Sequence, residues 1–230
     1  MKTLRIRLLI LLLCTFLYSC SKNEIENDKV NNTRQNTIFF NLNVGNEWVY
    51  KKYDNTSQNP NQFAFYGFVD SVKIIGVQTI QGLTFAKKRS RTRNIITNAY
   101  YNEEISYVRI NSFGHLIEVL AIPPDEYPFT ETTGWVLHPG FDQDFIFNRV
   151  LDQGEQIHSL YQPTNLTVEG NSYFVYPYKG VFTPSASYPD LVSKTVEYNY
   201  EQNIGLVKRV CHAVYGNYQW EDRLVSYQIN

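Results

Sequence analysis

From residue 38 onward, apolar and polar positions alternate in short runs punctuated by Gly, Asn, Asp and Pro, the pattern of strands joined by turns. Residues 194–200 are the clearest case, with Val196, Tyr198 and Tyr200 on one face of an extended segment. Residues 204–210 follow, then the turn Tyr215-Gly216-Asn217-Tyr218, then residues 220–229, which together predict a three-stranded meander. Nearer the start, residues 47–53, 63–75 (with a break at Gly67) and 83–92 have the β-branched and aromatic content of strands. In the last of these, Leu83 and Phe85 share a face that Lys87 and Arg89 continue in charged form. Residues 54–60 predict a loop and 76–82 a turn. Residues 105–110 and 115–122 predict a hairpin around Asn111-Ser112-Phe113-Gly114. Between 127 and 161 prolines, glycines and acids interrupt the pattern, so short strands and a long loop are expected. Residues 171–182 are strand-like but hold Pro177, which predicts an edge strand or a bulge, and 183–190 predict a loop.

The first residues follow a different pattern. Lys2, Arg5 and Arg7 precede an apolar run over 8–13 that continues through Cys14, Thr15 and Phe16. This is the order of a secretory signal, and the run is shorter than the roughly 20 apolar residues that span a bilayer. Leu17-Tyr18-Ser19-Cys20 then resembles the lipobox of bacterial lipoprotein signal peptides, although Tyr18 is larger than usual at its position. The resemblance implies that residues 1–19 are removed and that Cys20 becomes a lipidated N-terminus held in the membrane by its acyl chains. Residues 20–36 are polar and charged and read as a flexible, disordered tether. Ser21 follows the cysteine where an aspartate would signal inner-membrane retention, which favours the outer membrane. Lys22, Glu24 and Glu26 loosely resemble the charged export signal of surface-displayed lipoproteins of Bacteroidota, interrupted by Asn23. Periplasmic face and cell surface both stay open.

Residues 37–230 suffice for one domain. Eighteen tyrosines, fourteen phenylalanines and a single methionine favour pleated structure. The expected fold is all-β, one antiparallel β domain, either a sandwich or a strongly curved open sheet. Losing the signal would take the formal charge from −1 to about −4, which excludes a general nucleic-acid binder. Of three cysteines, Cys14 leaves with the signal and Cys20 is lipidated, so Cys211 stands alone in an apolar run and reads as a buried thiol.

Two stretches carry a family resemblance. Val44-Gly45-Asn46-Glu47-Trp48-Val49-Tyr50 is similar to the opening of many uncharacterised β-rich lipoproteins of Bacteroidota. Tyr198-Asn199-Tyr200, Ile204-Gly205-Leu206-Val207-Lys208 and Leu224-Val225-Ser226-Tyr227 are similar to their closing meander, with Asn203 standing where glycine or lysine is common. The resemblance implies an antiparallel sheet and an exported lipoprotein, and it implies no activity.

Chemistry is sparse. His115, His138, His158 and His212 lack zinc-ligand spacing, and no serine elbow or phosphate loop is present, so no catalytic residue, metal or cofactor is assigned. Asp142 and Asp144 beside Gly140 faintly suggest calcium but lack the further ligands of a binding loop. Asp125, Glu126, Asp142, Asp144, Asp152 and Glu155 offer carboxylates for a glycoside-acting pair, as most chains of this length would. Lys87, Lys88, Arg89, Arg91 and Arg93 form a basic cluster for an anionic ligand, or a charged strand end that blunts a sheet edge. Tyr173, Tyr176, Tyr178, Phe182 and Tyr188 stack on sugar rings if exposed and are core if buried. The expected function is a non-enzymatic outer-membrane lipoprotein that binds or displays a glycan or another envelope protein. Its rivals are a carrier of an apolar ligand in an open β-barrel and, less favoured, a glycan-acting hydrolase.

Overall fold

The computed structural model describes residues 39–56, 59–120, 128–213 and 216–230; the expected signal, Cys20 and the tether lie outside them. Thirteen strands and no helix occur among the described residues. They are β1 (Glu47–Thr56), β2 (Asn59–Ile80), β3 (Leu83–Asn94), β4 (Tyr100–Ile110), β5 (Leu116–Val119), β6 (Trp135–His138), β7 (Ile146–Leu151), β8 (Gly154–Leu160), β9 (Thr164–Val168), β10 (Asn171–Pro184), β11 (Lys194–Glu201), β12 (Gly205–His212) and β13 (Gln219–Gln228). All belong to one antiparallel sheet ordered β6-β5-β4-β3-β2-β1-β13-β12-β11-β10-β8-β7, with β9 pairing β10 beside β8. The fold is therefore all-β and is the strongly curved single sheet, not the sandwich.

Two meanders make this sheet, and the ladder between the first and last strands welds them, with Trp48 opposite Tyr227 and Asp54 opposite Trp220. The sheet curls until its two ends face each other. β6 and β7 do not pair through the backbone. They meet through side chains: Trp135 packs edge-on against Phe147 at 5.4 Å, and the Arg149 guanidinium lies 4.6 Å from the Trp135 ring centre. His138 ties the seam to β10. Its Nδ1 accepts from the Gly140 N–H, so Nε2 carries the proton and donates to the Tyr176 carbonyl, both at 3.0 Å.

Most expected strands form, with three informative differences. Much of the expected loop at 54–60 is strand: β1 runs to Thr56 and β2 starts at Asn59. Residues 76–82 are not a turn, because β2 continues to Ile80 and only Gln81-Gly82 reverses the chain. The ladder absorbs Ile75 in a register shift after Ile74 and carries Gly76 on opposite Lys87. Pro177 lies in neither an edge strand nor a bulge. Its carbonyl accepts from Tyr161 N, so its missing N–H faces the gap where β10 exchanges partner β9 for partner β8, and no ladder bond is lost. Gly67, with φ +88°, does mark the expected break, where β1 pairing skips from Val69 to Phe65.

The core fills one end of the curl. Trp48, Tyr50, Ile74, Val108, Leu116, Tyr200 and Leu224 line the inner face there, and Phe39 and Phe40 plug it from below. A second small core lies on the outer face, where Phe129 covers Ile80, Phe85 and Val119.

Candidate functional site, a cavity inside the sheet

Inner-face positions change character along each central strand. β1 presents Trp48 and Tyr50, then Lys52; β2 presents Ile74 and Val72, then Asp70; β13 presents Leu224, then Asp222. The space they enclose with β3, β4, β5 and β12 is a cavity of about 390 Å³, apolar towards the plug and charged towards the open end. That lies in the lower range of small-ligand pockets.

The charged half is a matched network. Lys52 Nζ lies 2.7 Å from Asp70 and 3.2 Å from Asp222. Arg209 Nε donates to Asp222 at 2.6 Å, and Thr92 Oγ1 donates to Asp70 at 2.6 Å. Across the cavity Lys88 pairs with Glu118, which also accepts from Ser106 Oγ at 2.6 Å. Burial alone would lower the Lys52 pKa, but Asp222 and Asp70 outweigh it and hold it above the ordinary lysine value; Arg209 is raised in the same way, by Asp222 first. Burial raises the phenols of Tyr50 and Tyr200 well above the ordinary value, so the apolar half stays neutral.

The two family-like stretches meet at the base of this cavity. Trp48 Nε1 donates to the Ile204 carbonyl at 2.5 Å and Tyr50 Oη to the Leu206 carbonyl at 2.9 Å. Asn203 has φ +65°, the left-handed conformation that explains why glycine suits its position. The packing of Gly205 against Trp48 leaves 3.4 Å between a Cβ there and the indole nitrogen.

The basic cluster divides. Lys88 points inward to Glu118, whereas Lys87, Arg89, Arg91 and Arg93 alternate onto the outer face. Arg91 pairs with Glu103 at 2.5 Å and Arg93 donates to Asn98 at 3.1 Å. The aromatic set also divides, and it forms no exposed platform. Tyr173, Tyr178 and Phe182 are buried, with Tyr173 on the opposite face of β10 from Tyr178 and Phe182. Tyr176 is half-buried against Phe39 and Phe141, and Tyr188 is half-buried in the loop after β10. Asp142 accepts from His115 Nε2 at 3.0 Å, Glu155 accepts from Asn148, and Asp125 and Glu126 lie outside the described residues. Burial of Cys211 raises its thiol pKa to about 11, the state of an unreactive cysteine.

Lys52, Asp70, Asp222 and Arg209 were not singled out by the sequence pattern. Their signal was a charge continuing the apolar face of a strand, as in Trp48-x-Tyr50-x-Lys52 and Asp222-x-Leu224.

No protein-family model matches the chain, and no curated protein matches it in sequence. Two crystal structures are similar to it. One is of a protein of Parabacteroides distasonis described as a lipoprotein: 13% identity, TM-score 0.41, covering 84% of this chain and 99% of that one. The other is of a protein of Bacteroides fragilis described as exported, with a YmcC-like fold: 9% identity, TM-score 0.45, covering 84% of this chain and 99% of that one.

Proposed function

We propose that the chain is a lipid-anchored protein of the outer membrane that binds an amphiphilic or apolar ligand inside its curled sheet. The address rests on the basic, apolar and Leu17-Tyr18-Ser19-Cys20 order at the start of the chain. The ligand class rests on the cavity, whose apolar base accepts a hydrocarbon portion while its charged half accepts a polar head. The same geometry favours a carrier over a glycan-stacking display protein, whose platform the burial of Tyr173 and Tyr178 removes. It also disfavours a hydrolase centred here, since Asp70, Asp222 and Glu118 are each held by a lysine or arginine.

The test is to purify the full chain from membranes and analyse its organic extract by mass spectrometry, in parallel with Ser90→Phe, which places a ring in the cavity. A stoichiometric amphiphile that the variant loses while keeping its melting temperature supports the reading. An empty protein that also fails to bind a fluorescent fatty acid sinks it. Protease treatment of intact cells assigns the face, since digestion requires surface display and protection requires the periplasmic side.

A further inference from the structure

The open end of the cavity carries a concentration of exposed apolar side chains that the fold does not need. It is the end where β1 finishes, β2 begins, β3 turns into β4, β5 stops and β12 turns into β13. Ile96, at the β3–β4 turn, is 83% exposed; Tyr100 and Tyr101, which open β4, are 66% and 61% exposed. Leu120 stands at the cavity wall past β5, 66% exposed. Tyr66 and Tyr218 complete the rim from β2 and the β12–β13 turn, and Tyr66 stands near Lys52, Asp222 and Tyr218. The rings touch one another: Tyr66 packs on Phe68 at 5.3 Å, and Phe68 on Tyr101 at 5.1 Å.

The geometry points to this rim as a membrane-docking surface, which seats the cavity mouth on a phospholipid headgroup layer so that an amphiphile passes between bilayer and cavity. The inference rests on the ligand class proposed above and adds the route by which that ligand enters. Three observations select a lipid interface over a protein partner. Tyrosines carrying polar tips, set beside Ile and Leu, are the composition of residues that lie at a membrane–water boundary. The patch lies at the open end of a partly apolar cavity, where Leu120 lines the cavity wall, instead of on a flat sheet face. The rim charges balance, Arg91 and Arg93 against Glu103 and Glu104, so no strong field demands a charged partner. Reach permits it as well. The chain between Cys20 and Phe39 extends at most about 65 Å, longer than the roughly 40 Å of a strand such as β3, with its 12 residues.

The experiment uses the full lipidated chain in vesicles of phosphatidylethanolamine and phosphatidylglycerol whose acyl chains carry nitroxide quenchers. A bimane label is placed at Ile96→Cys on the rim or at Val44→Cys, exposed at the opposite end of the curl beside Gly45. The unsubstituted lipidated chain, labelled in parallel, gives the background from Cys211. Docking predicts several-fold stronger quenching at 96 than at 44. It also predicts little change when salt rises from about 0.1 M to about 1 M, where the screening length falls from about 10 Å to about 3 Å. Adding Tyr100→Glu with Tyr101→Glu abolishes the difference while the chain stays anchored. Equal quenching at both positions overturns the proposal, as does quenching at 96 that high salt removes, since that is ionic attachment. Ligand occupancy, read by mass spectrometry on the same preparations, separates the two readings: an occupied cavity with no rim quenching defeats docking alone, and rim quenching over an empty cavity defeats the carrier function alone.

Discussion

His158 on β8 is buried among Trp135, Phe147 and Tyr178, and neither of its ring nitrogens has a hydrogen-bond partner among the described residues. Burial, aided by the Arg149 charge, lowers its pKa to about 4, and burial lowers that of His138 to about 3. Both folded values lie below the ordinary 6.5. The unfolded chain therefore takes up protons that the folded chain refuses, so the stability these residues permit is whole above pH 6.5 and declines as pH falls towards 4 and 3. Each contributes a slope of about 1.4 kcal/mol per pH unit in that window. His158→Phe keeps the ring and removes the titration. Urea denaturation from pH 7 to pH 4.5 will show a shallower loss in the variant, and parallel curves would refute the assignment. Lys52 supplies a second test at this scale. Lys52→Met leaves Asp70 with Thr92 alone and Asp222 with Arg209 alone, so it will lower unfolding free energy by about 1–3 kcal/mol. Asp70→Asn added to Lys52→Met will recover part of that loss, which a role in packing alone would not allow.

Strands β8 and β10 show how one residue sets an element's contact. A Cβ on Gly180 would lie 2.4 Å from His158 Cε1 and 2.6 Å from its Nε2, so the imidazole lies flat on the bare backbone of the neighbouring strand. Gly180→Ala forces the ring off this seat and will cost about 1–3 kcal/mol. In a His158→Ala background the same change will cost much less, and a double-mutant cycle measured by thermal melting gives the coupling. The sequence pattern was most legible where one face is buried and the other wet. The meander of β11, β12 and β13 and the hairpin around Gly114 were readable because alternation and turn chemistry agreed. It was least legible where local chemistry was overruled from outside. Asn and Pro around residues 54–60 spell a loop, yet β13 and β2 hold Asp54 extended between them, and Asn55 pairs with β2 while its side chain accepts from Gln219 N. Pro177 spells an edge, yet the change of partners beside it removes the need for its N–H.

The whole molecule depends on a contact that no local pattern reveals, the pairing of β1 with β13. Turn signals announce hairpins between neighbours in sequence, whereas this ladder closes a loop over most of the chain. It also creates the cavity, because Lys52 meets Asp222 and Tyr50 meets Leu206 only across it or beyond it. The same topology ranks the strands in stability. β1 and β13 lie at the centre of the strand order, each with a partner on both sides, while β6 and β7 each have one backbone neighbour and face each other through Trp135, Phe147 and Arg149. Opening the seam exposes a few rings; separating β1 from β13 divides the core. Native-state hydrogen exchange will therefore find the ladder amides of β1 and β13 opening only with global unfolding. Those of β6 towards β5 and of β7 towards β8 will open several kcal/mol more cheaply. Trp135→Ala will accelerate exchange in β6 and β7 and leave the difference between β1 and global unfolding at zero. If β6 and β7 proved as protected as β1, the seam would be as strong as a hydrogen-bonded ladder, and the curl would behave as a closed barrel whose only entrance is the rim.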